Sequence, residues 1–351
     1  DTKGYVYRLV NDLDMTGYKW APITDKNENS YERHFQGTFD GNGHTIRGLY
    51  CDIIDSDYSY AGLFGILDDG AEVKNLTIEE SYFKGCENVA AISGCTFGTK
   101  IENCVANAAI VGAISTGGIV GYSVNSVIDH CVNYGTIKVQ DNYKIDIGGI
   151  AGLVTTDKNK YSVINCVNYG TIEAAEAFYV GGIVGVNGAG LLINNANFGT
   201  VNGGEEVGGV VGRNYTKNAE IYNCYSTGSV TSITKKFLGA VVGRNDKDEG
   251  TVKYCYYLKD SAKYNGTPWT GIGASNKALD DDYKDYELAS FTSPTSALSR
   301  NAGYGTTSLF DALTKFVTSF KQSNPNSNLA DWVTGNNGYP MPKGLPTYTI
   351  K

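Results

Sequence analysis

Four aspartates near the start of the chain, Asp40, Asp52, Asp55 and Asp57, are the side chains whose type and spacing come nearest to a hydrolytic pair. Paired carboxylates at a fixed separation cleave glycosidic bonds, one as acid and the other as base or nucleophile. Asp55 and Asp57 would share a face in a strand, but residues 54 to 60 read as a solvated loop. Asp280, Asp281 and Asp282 could offer oxygens to calcium, yet they lack the alternating ligands and the glycine of a calcium loop, so a solvated turn is the better reading. The eight cysteines include no Cys-x-x-Cys, and His34, His44 and His130 are the only imidazoles, so neither a metal site nor a cofactor is expected. Glycine-rich phrases raise dinucleotide binding and as quickly exclude it. A phosphate-cradling loop opens one helix, whereas here the phrase recurs seven times without a strand-to-helix pattern. No catalytic residue is assigned.

Those residues must be positioned by a repeat. The phrase Gly-Gly-aliphatic-small-Gly starts at Ala61, Ala90, Gly117, Gly148, Gly181, Gly208 and Gly239, in steps of 29, 27, 31, 33, 27 and 31 residues. Its third position is always Leu, Ile or Val, which places it inside. The position after the last glycine runs Ile66, Cys95, Tyr122, Leu153, Val186, Arg213 and Arg244, too varied for a core. A second phrase follows the later copies at Asn103-Cys104, His130-Cys131, Asn165-Cys166, Asn195-Ala196, Asn223-Cys224 and Tyr254-Cys255. An aromatic-Gly-Thr turn comes next, at Tyr134, Tyr169 and Phe198. Each unit therefore holds three short strand-like pieces and no helical periodicity. A unit of about 30 residues cannot bury its own apolar side, so units must stack as parallel strands about 4.8 Å apart. Propeller blades need roughly 40 residues and four strands, which this period does not supply.

The columns carry their own expectations. Cys104, Cys131, Cys166, Cys224 and Cys255 share one slot, with Ala196 read as the replacement, so the thiols are expected to be free, buried fillers. The asparagines beside them are expected to bond at coil corners and to tolerate unusual turn dihedrals. Tyr134, Tyr169 and Phe198 recur once per coil. Ring stacking that stiffens a corner explains them most simply, but an outer row of rings could also stack on sugars or peptides, and these three are the candidate binding residues.

The chain has 351 residues, 44 of them glycine, and a formal net charge of -8. That balance, without a basic window, excludes a phosphate-tracking nucleic-acid surface, and no apolar run is long enough to span a bilayer. The residues from Asp1 to Val10 have neither a basic start nor an apolar stretch, and an export signal is expected to have been removed. Residues 1–36 read as an N-terminal cap, 37–258 as the stacked coils and 259–351 as a C-terminal cap. In the last of these, Ser308 with Asp311 resembles a helix start, and Leu309, Leu313, Phe316, Val317 and Phe320 share one face of an amphipathic helix at about 308–321. Such a helix is expected to cover the edge of the last coil.

With Phe35-Gln36-Gly37-Thr38-Phe39-Asp40-Gly41-Asn42-Gly43-His44-Thr45-Ile46 ahead of the repeats and Asn336-Asn337-Gly338-Tyr339-Pro340 after them, the sequence resembles the bacterial GLUG-motif proteins. The departures are Ala90 and Ala91 in place of two glycines and the 33-residue fourth unit. The resemblance implies an all-β, right-handed parallel β-solenoid and a secreted or cell-surface, adhesin-like protein. It supplies no active site. The sequence reading is a non-enzymatic binding or spacer module, expected to be monomeric. It would meet a polysaccharide or a host extracellular protein on its lateral face. A β-helical polysaccharide lyase or glycoside hydrolase is the alternative, and it would need acids and bases gathered on adjacent coils in one column. No such column is evident in the sequence.

Overall fold

A computed structural model describes residues 2–23, 25–26, 32–53, 60–140, 144–157, 161–234, 236–246, 250–274, 288–299 and 307–349. Asp55, Asp57, Asp280, Asp281 and Asp282 lie outside the described residues.

The repeat folds into a parallel β-solenoid. One face is a nine-stranded sheet from Val6–Arg8 through Thr38–Asp40, Glu72–Lys74 and onward to Thr251–Lys253, with every neighbour parallel. A second is an eight-stranded parallel sheet from Phe64–Leu67 to Ile272–Ala274, carrying the ends of the glycine phrases. The third side is bent. Long strands such as Thr77–Gly85 and Thr171–Gly181 each pair with two shorter strands of an adjoining coil.

Parallel pairing runs past both boundaries drawn from the sequence. Val6–Arg8 pairs with Thr38–Asp40, and Leu13–Asp14 with Thr45–Arg47, so the segment read as an N-terminal cap supplies a first coil. Leu288–Phe291 pairs with Cys255–Leu258 beyond the last glycine phrase. A strand needs only backbone partners to join the stack, and the phrase is not required where no further coil must close over it.

Ile119, Ile150, Ile183, Val210 and Val241 are fully buried in one interior cluster. The second glycine of four successive phrases, Gly118, Gly149, Gly182 and Gly209, makes room for a buried polar side chain. A Cβ on Gly149 would sit 2.5 Å from the amide carbon of Asn168, and one on Gly182 2.4 Å from that of Asn197. Those amides form a ladder: Asn133 Nδ2 donates to Asn168 Oδ1 at 2.9 Å, Asn168 to Asn197 at 2.9 Å, and Asn197 to Ser226 Oγ at 3.2 Å. Each Oδ1 also accepts the backbone N–H two residues on, at Gly135, Gly170 and Gly199, which shapes the aromatic-Gly-Thr turn.

The Asn-Cys corner differs from the sequence alignment at one coil. The left-handed corner position is Asn103, His130, Asn165, Asn194, Asn223 and Tyr254, with φ between 50° and 65°. Ala196 instead pairs with Val167 and Tyr225. The residue in the thiol slot is therefore Asn195, not Ala196. Cys thiols there donate to backbone carbonyls, as Cys131 does to Asp129 at 3.3 Å, and Asn195 does the same through Nδ2 to Val163 O at 2.9 Å. The slot selects a small donor rather than an apolar filler. None of the eight cysteines is in a disulfide, and burial holds the Cys104 and Cys131 thiols well above their ordinary range.

Helix α1 (Leu309–Ser323) starts at Ser308, whose hydroxyl accepts the Asp311 N–H at 3.2 Å. Leu309, Ala312, Leu313, Phe316 and Val317 are its buried face. The helix lies along the side of the late coils: Phe316 packs on Tyr254 at 5.0 Å between ring centres, and Asn223 Nδ2 donates to Leu313 O at 3.3 Å. Outward residues after the thiol slot, Val132, Val167, Ala196, Tyr225 and Tyr256, form with it a second buried cluster outside the solenoid interior.

Ile183→Ala removes a buried side chain between two like neighbours that cannot collapse while the backbone ladders hold. A loss of about 2 to 5 kcal/mol in urea unfolding is expected. A loss under about 1 kcal/mol would mean that the column is not packed as described.

Candidate functional site

The rings singled out by the sequence are brought together. Tyr134 and Tyr169 stack at 5.0 Å with planes 6° apart, and Tyr169 and Phe198 at 4.9 Å and 9°. Their outer side is not open, because the C-terminal segment lies across it. Tyr348 packs on Tyr134 at 5.0 Å, Tyr339 meets Phe198 edge-on at 6.1 Å, and the Tyr169 hydroxyl donates to the Met341 sulfur at 2.9 Å. The Tyr225 hydroxyl donates to Pro340 O. Burial pushes the Tyr169 hydroxyl up to about 12. The edge expected to face a ligand is a docking strip for the chain's own tail. The reason is long-range: residues 328–348 return along the coils, with Asn165 and Asn194 donating to Asn328 O and Ala330 O at 3.0 Å each.

Asp40 and Asp52 do not meet as a catalytic pair. Asp40 is buried and accepts from Arg8 Nε at 3.1 Å, Asn42 N at 2.9 Å and Asn75 Nδ2 at 3.1 Å, so it holds the Asp-Gly-Asn-Gly turn. Asp52 lies 3.9 Å from Lys84 Nζ on a different strand.

On the eight-stranded face the structure gathers charges that the sequence search missed. Tyr122, Leu153, Val186, Arg213 and Arg244 stand in register one place after the last glycine of their phrases. Two arginines in adjacent coils repel unless carboxylates lie between them. Glu206 and Asp246 supply these. Arg213 donates to Asp246 Oδ2 from Nε at 2.9 Å and from Nη2 at 2.7 Å, and its Nε lies 3.6 Å from Glu206 Oε2. Arg244 Nη1 donates to Glu206 Oε1 at 3.0 Å, and its Nε lies 2.6 Å from Asp246 Oδ1. The result is a closed, neutral ring of two arginines and two carboxylates, with the Glu206 side chain only 4% exposed. Burial pushes the Glu206 carboxyl above its ordinary value against the pull of Arg244 and Arg213.

The corner position feeding this face has φ from 47° to 61° at Ser115, Asp146, Tyr179, Glu206 and Phe237. Two of its side chains, Tyr179 and Phe237, line the ring. The Arg213 guanidinium lies over Tyr179 at 5.1 Å and over Tyr215 at 4.5 Å, while Arg244 lies over Phe237 at 4.9 Å. Tyr215 is 51% exposed. One coil before Tyr179, buried Asp146 accepts from Ser115 Oγ at 3.4 Å, and burial pushes its carboxyl up to about 6. The acids come from different columns, the corner for Glu206 and the strand end for Asp246, which is why a single-column search passes over them. The legible signal was the repeated arginine. With both ring carboxylates held by guanidinium groups, the ring offers recognition and rigidity rather than a free base or nucleophile. Among the described residues, no group of three His, Cys, Asp or Glu is placed to hold a metal ion.

The family model for the GLUG motif matches residues 203–231, which include Gly208-Gly209-Val210-Val211-Gly212 and Asn223-Cys224. Halomucin of Haloquadratum walsbyi is 32% identical over 127 residues, 34% of this chain and 1% of that protein. A Gly-rich membrane protein of Evansella cellulosilytica is 35% identical over 104 residues, 28% of this chain and 11% of that one. The zinc metalloprotease ZmpC of Streptococcus pneumoniae is 32% identical over 172 residues, 47% and 9% respectively. The chain thus spans between 1% and 11% of the length of these relatives. Among solved structures, an immunoglobulin A1 protease-like protein of Bacteroides ovatus aligns at 20% identity with a TM-score of 0.49, over 96% of this chain and 85% of that one.

Asp146→Asn isolates the cost of the buried acid. Its folded value is raised from 3.8 to about 6, so the folded state holds the proton more tightly than the unfolded chain, and stability falls as pH rises between those values. The variant should match the native protein below about pH 4 and exceed it by roughly 3 kcal/mol at about pH 7.5 in urea unfolding. Equal stability at both pH values would show that the carboxyl is not buried as described.

Proposed function

We propose that this GLUG-motif chain is a cell-surface solenoid module that binds an extended polysaccharide along its eight-stranded lateral face, without turnover. The names of two relatives, a halomucin and a Gly-rich membrane protein, fit a surface setting. No helix of the described residues is long and apolar enough to cross a membrane. The observation that carries the reading is the half-exposed Tyr215 ring, backed by Arg213 and set beside the four-membered charge ring. An aromatic face stacks on the C–H face of a sugar, and fixed guanidinium and carboxylate groups at its edge bond to hydroxyls. Stacked coils extend such a surface in one direction, so weak contacts to a polymer add. A small metabolite would need a closed pocket with convergent polar groups instead. The Tyr134, Tyr169 and Phe198 edge could join the binding surface only after the C-terminal segment had lifted away.

The test is a panel of immobilised polysaccharides and extracellular matrix proteins, probed with the native chain and with Tyr215→Ser. At least one polysaccharide should be retained, and the substitution should weaken it about tenfold or more, the worth of one lost stacking contact. No retained polysaccharide, or undiminished binding by the variant, would overturn the proposal. Release of reducing or unsaturated ends by the native chain would instead assign it to the carbohydrate-active enzymes.

A further inference from the structure

His130 occupies the corner position that other coils give to Asn103, Asn165, Asn194 and Asn223, and it has the same left-handed backbone, φ 51°. Its side chain is largely buried and both ring nitrogens face acceptors. Nδ1 lies 2.6 Å from Asp129 Oδ1, and Nε2 lies 3.0 Å from the backbone carbonyl of Lys343. Gly344 lies against the same ring, where a Cβ would stand 3.5 Å from Nε2.

A neutral imidazole has one N–H and one lone pair, so it cannot donate to two acceptors at once. Both contacts are satisfied only when the Asp129–His130 pair holds one proton more than a carboxylate and a neutral ring. Without that proton, the remaining N–H stays with the carboxylate and the Nε2 lone pair points at the Lys343 oxygen, a repulsive contact. We propose that His130 is a protonation-dependent latch for the end of the chain, holding residues 343–349 against the coils when charged and releasing them when neutral.

The surroundings favour the charged ring. Burial works against the charged ring, but the hydrogen bond and charge of Asp129, the Lys343 carbonyl and the charge of Glu102 outweigh it, and His130 titrates above the ordinary imidazole range. Asp129 is buried, and its Oδ1 also accepts Asn165 Nδ2 at 2.9 Å, so the carboxylate is fixed beside the ring. From the tail, Lys343 presents its carbonyl and Gly344 presents no side chain. This end is also tied by Lys343 N donating to Asp331 O at 2.7 Å, by Tyr348 OH to Glu79 Oε2 at 3.1 Å and by Asn107 Nδ2 to Tyr348 OH at 2.8 Å. Upstream, residues 328–330 are gripped by the amides of Asn165 and Asn194, which do not titrate. Lifting the distal end would bare the Tyr134 face that Tyr348 now covers.

Hydrogen exchange read by mass spectrometry, corrected for intrinsic rates, tests this at about pH 6 and about pH 9. Protection of the Lys343 amide, which donates to Asp331 O at 2.7 Å, should fall at least about tenfold between the two, while 328–332 stays unchanged as the internal control. His130→Asn, a residue the same corner accepts in neighbouring coils, should abolish the difference. Asp129→Asn should move release to lower pH by removing the carboxylate that favours the charged ring. Protection that is equal at both pH values, a difference that survives His130→Asn, or an unmoved midpoint in Asp129→Asn would each overturn the latch.

Discussion

The structure depends on a row of buried side-chain amides meeting a row of missing side chains. Asn133, Asn168 and Asn197 donate along the stack, and each lies where a Cβ on Gly118, Gly149 or Gly182 would collide with it. An amide buried without partners costs a few kcal/mol, so coils slipped out of register would leave its donors and acceptors unmet. The ladder therefore fixes which residue of one coil stands over which residue of the next. Once that is fixed, every outward position becomes a column, and the lateral surfaces follow from what the sequence places in each.

The two lateral surfaces are used differently. Beside the amide ladder, the rings of Tyr134, Tyr169 and Phe198 stack on one another and receive the returning tail, so that side is closed by the chain itself. On the eight-stranded face, Arg213 and Arg244 stand in the same column and are held apart by Glu206 and Asp246, with Tyr179, Tyr215 and Phe237 around them. The ring is electrically balanced and partly shielded, so its geometry is set by its own four groups. Preorganised polar groups of this kind add specificity more than raw attraction.

The solenoid was legible because its cause is periodic: a glycine needed once per coil for the same steric reason recurs at a countable interval. The thiol column was nearly legible. Asn194 and Asn195 are identical neighbours, so the sequence does not say which is the corner and which fills the slot, and only the pairing of Ala196 with Val167 decides it. The once-per-coil spacing of Tyr134, Tyr169 and Phe198 made their stacking on one another legible. What covers them was not visible, because Tyr339, Met341 and Tyr348 are more than 100 residues away and follow no repeat. The charge ring was hidden for the opposite reason, since its acids are local but lie in different columns.

The buried amides act by hydrogen bonding and not by filling space. Asn197 tests it, since its Oδ1 accepts from Asn168 and Gly199 N while its Nδ2 donates to Gly199 O at 3.1 Å and to Ser226. Asn197→Leu keeps the volume and removes all of these bonds. Denaturant unfolding should show a loss of about 3 kcal/mol or more, since at least two buried polar groups are stranded at about 1 to 3 kcal/mol each. An unfolding midpoint equal to or above that of the native protein would contradict the account and leave packing alone to set the register.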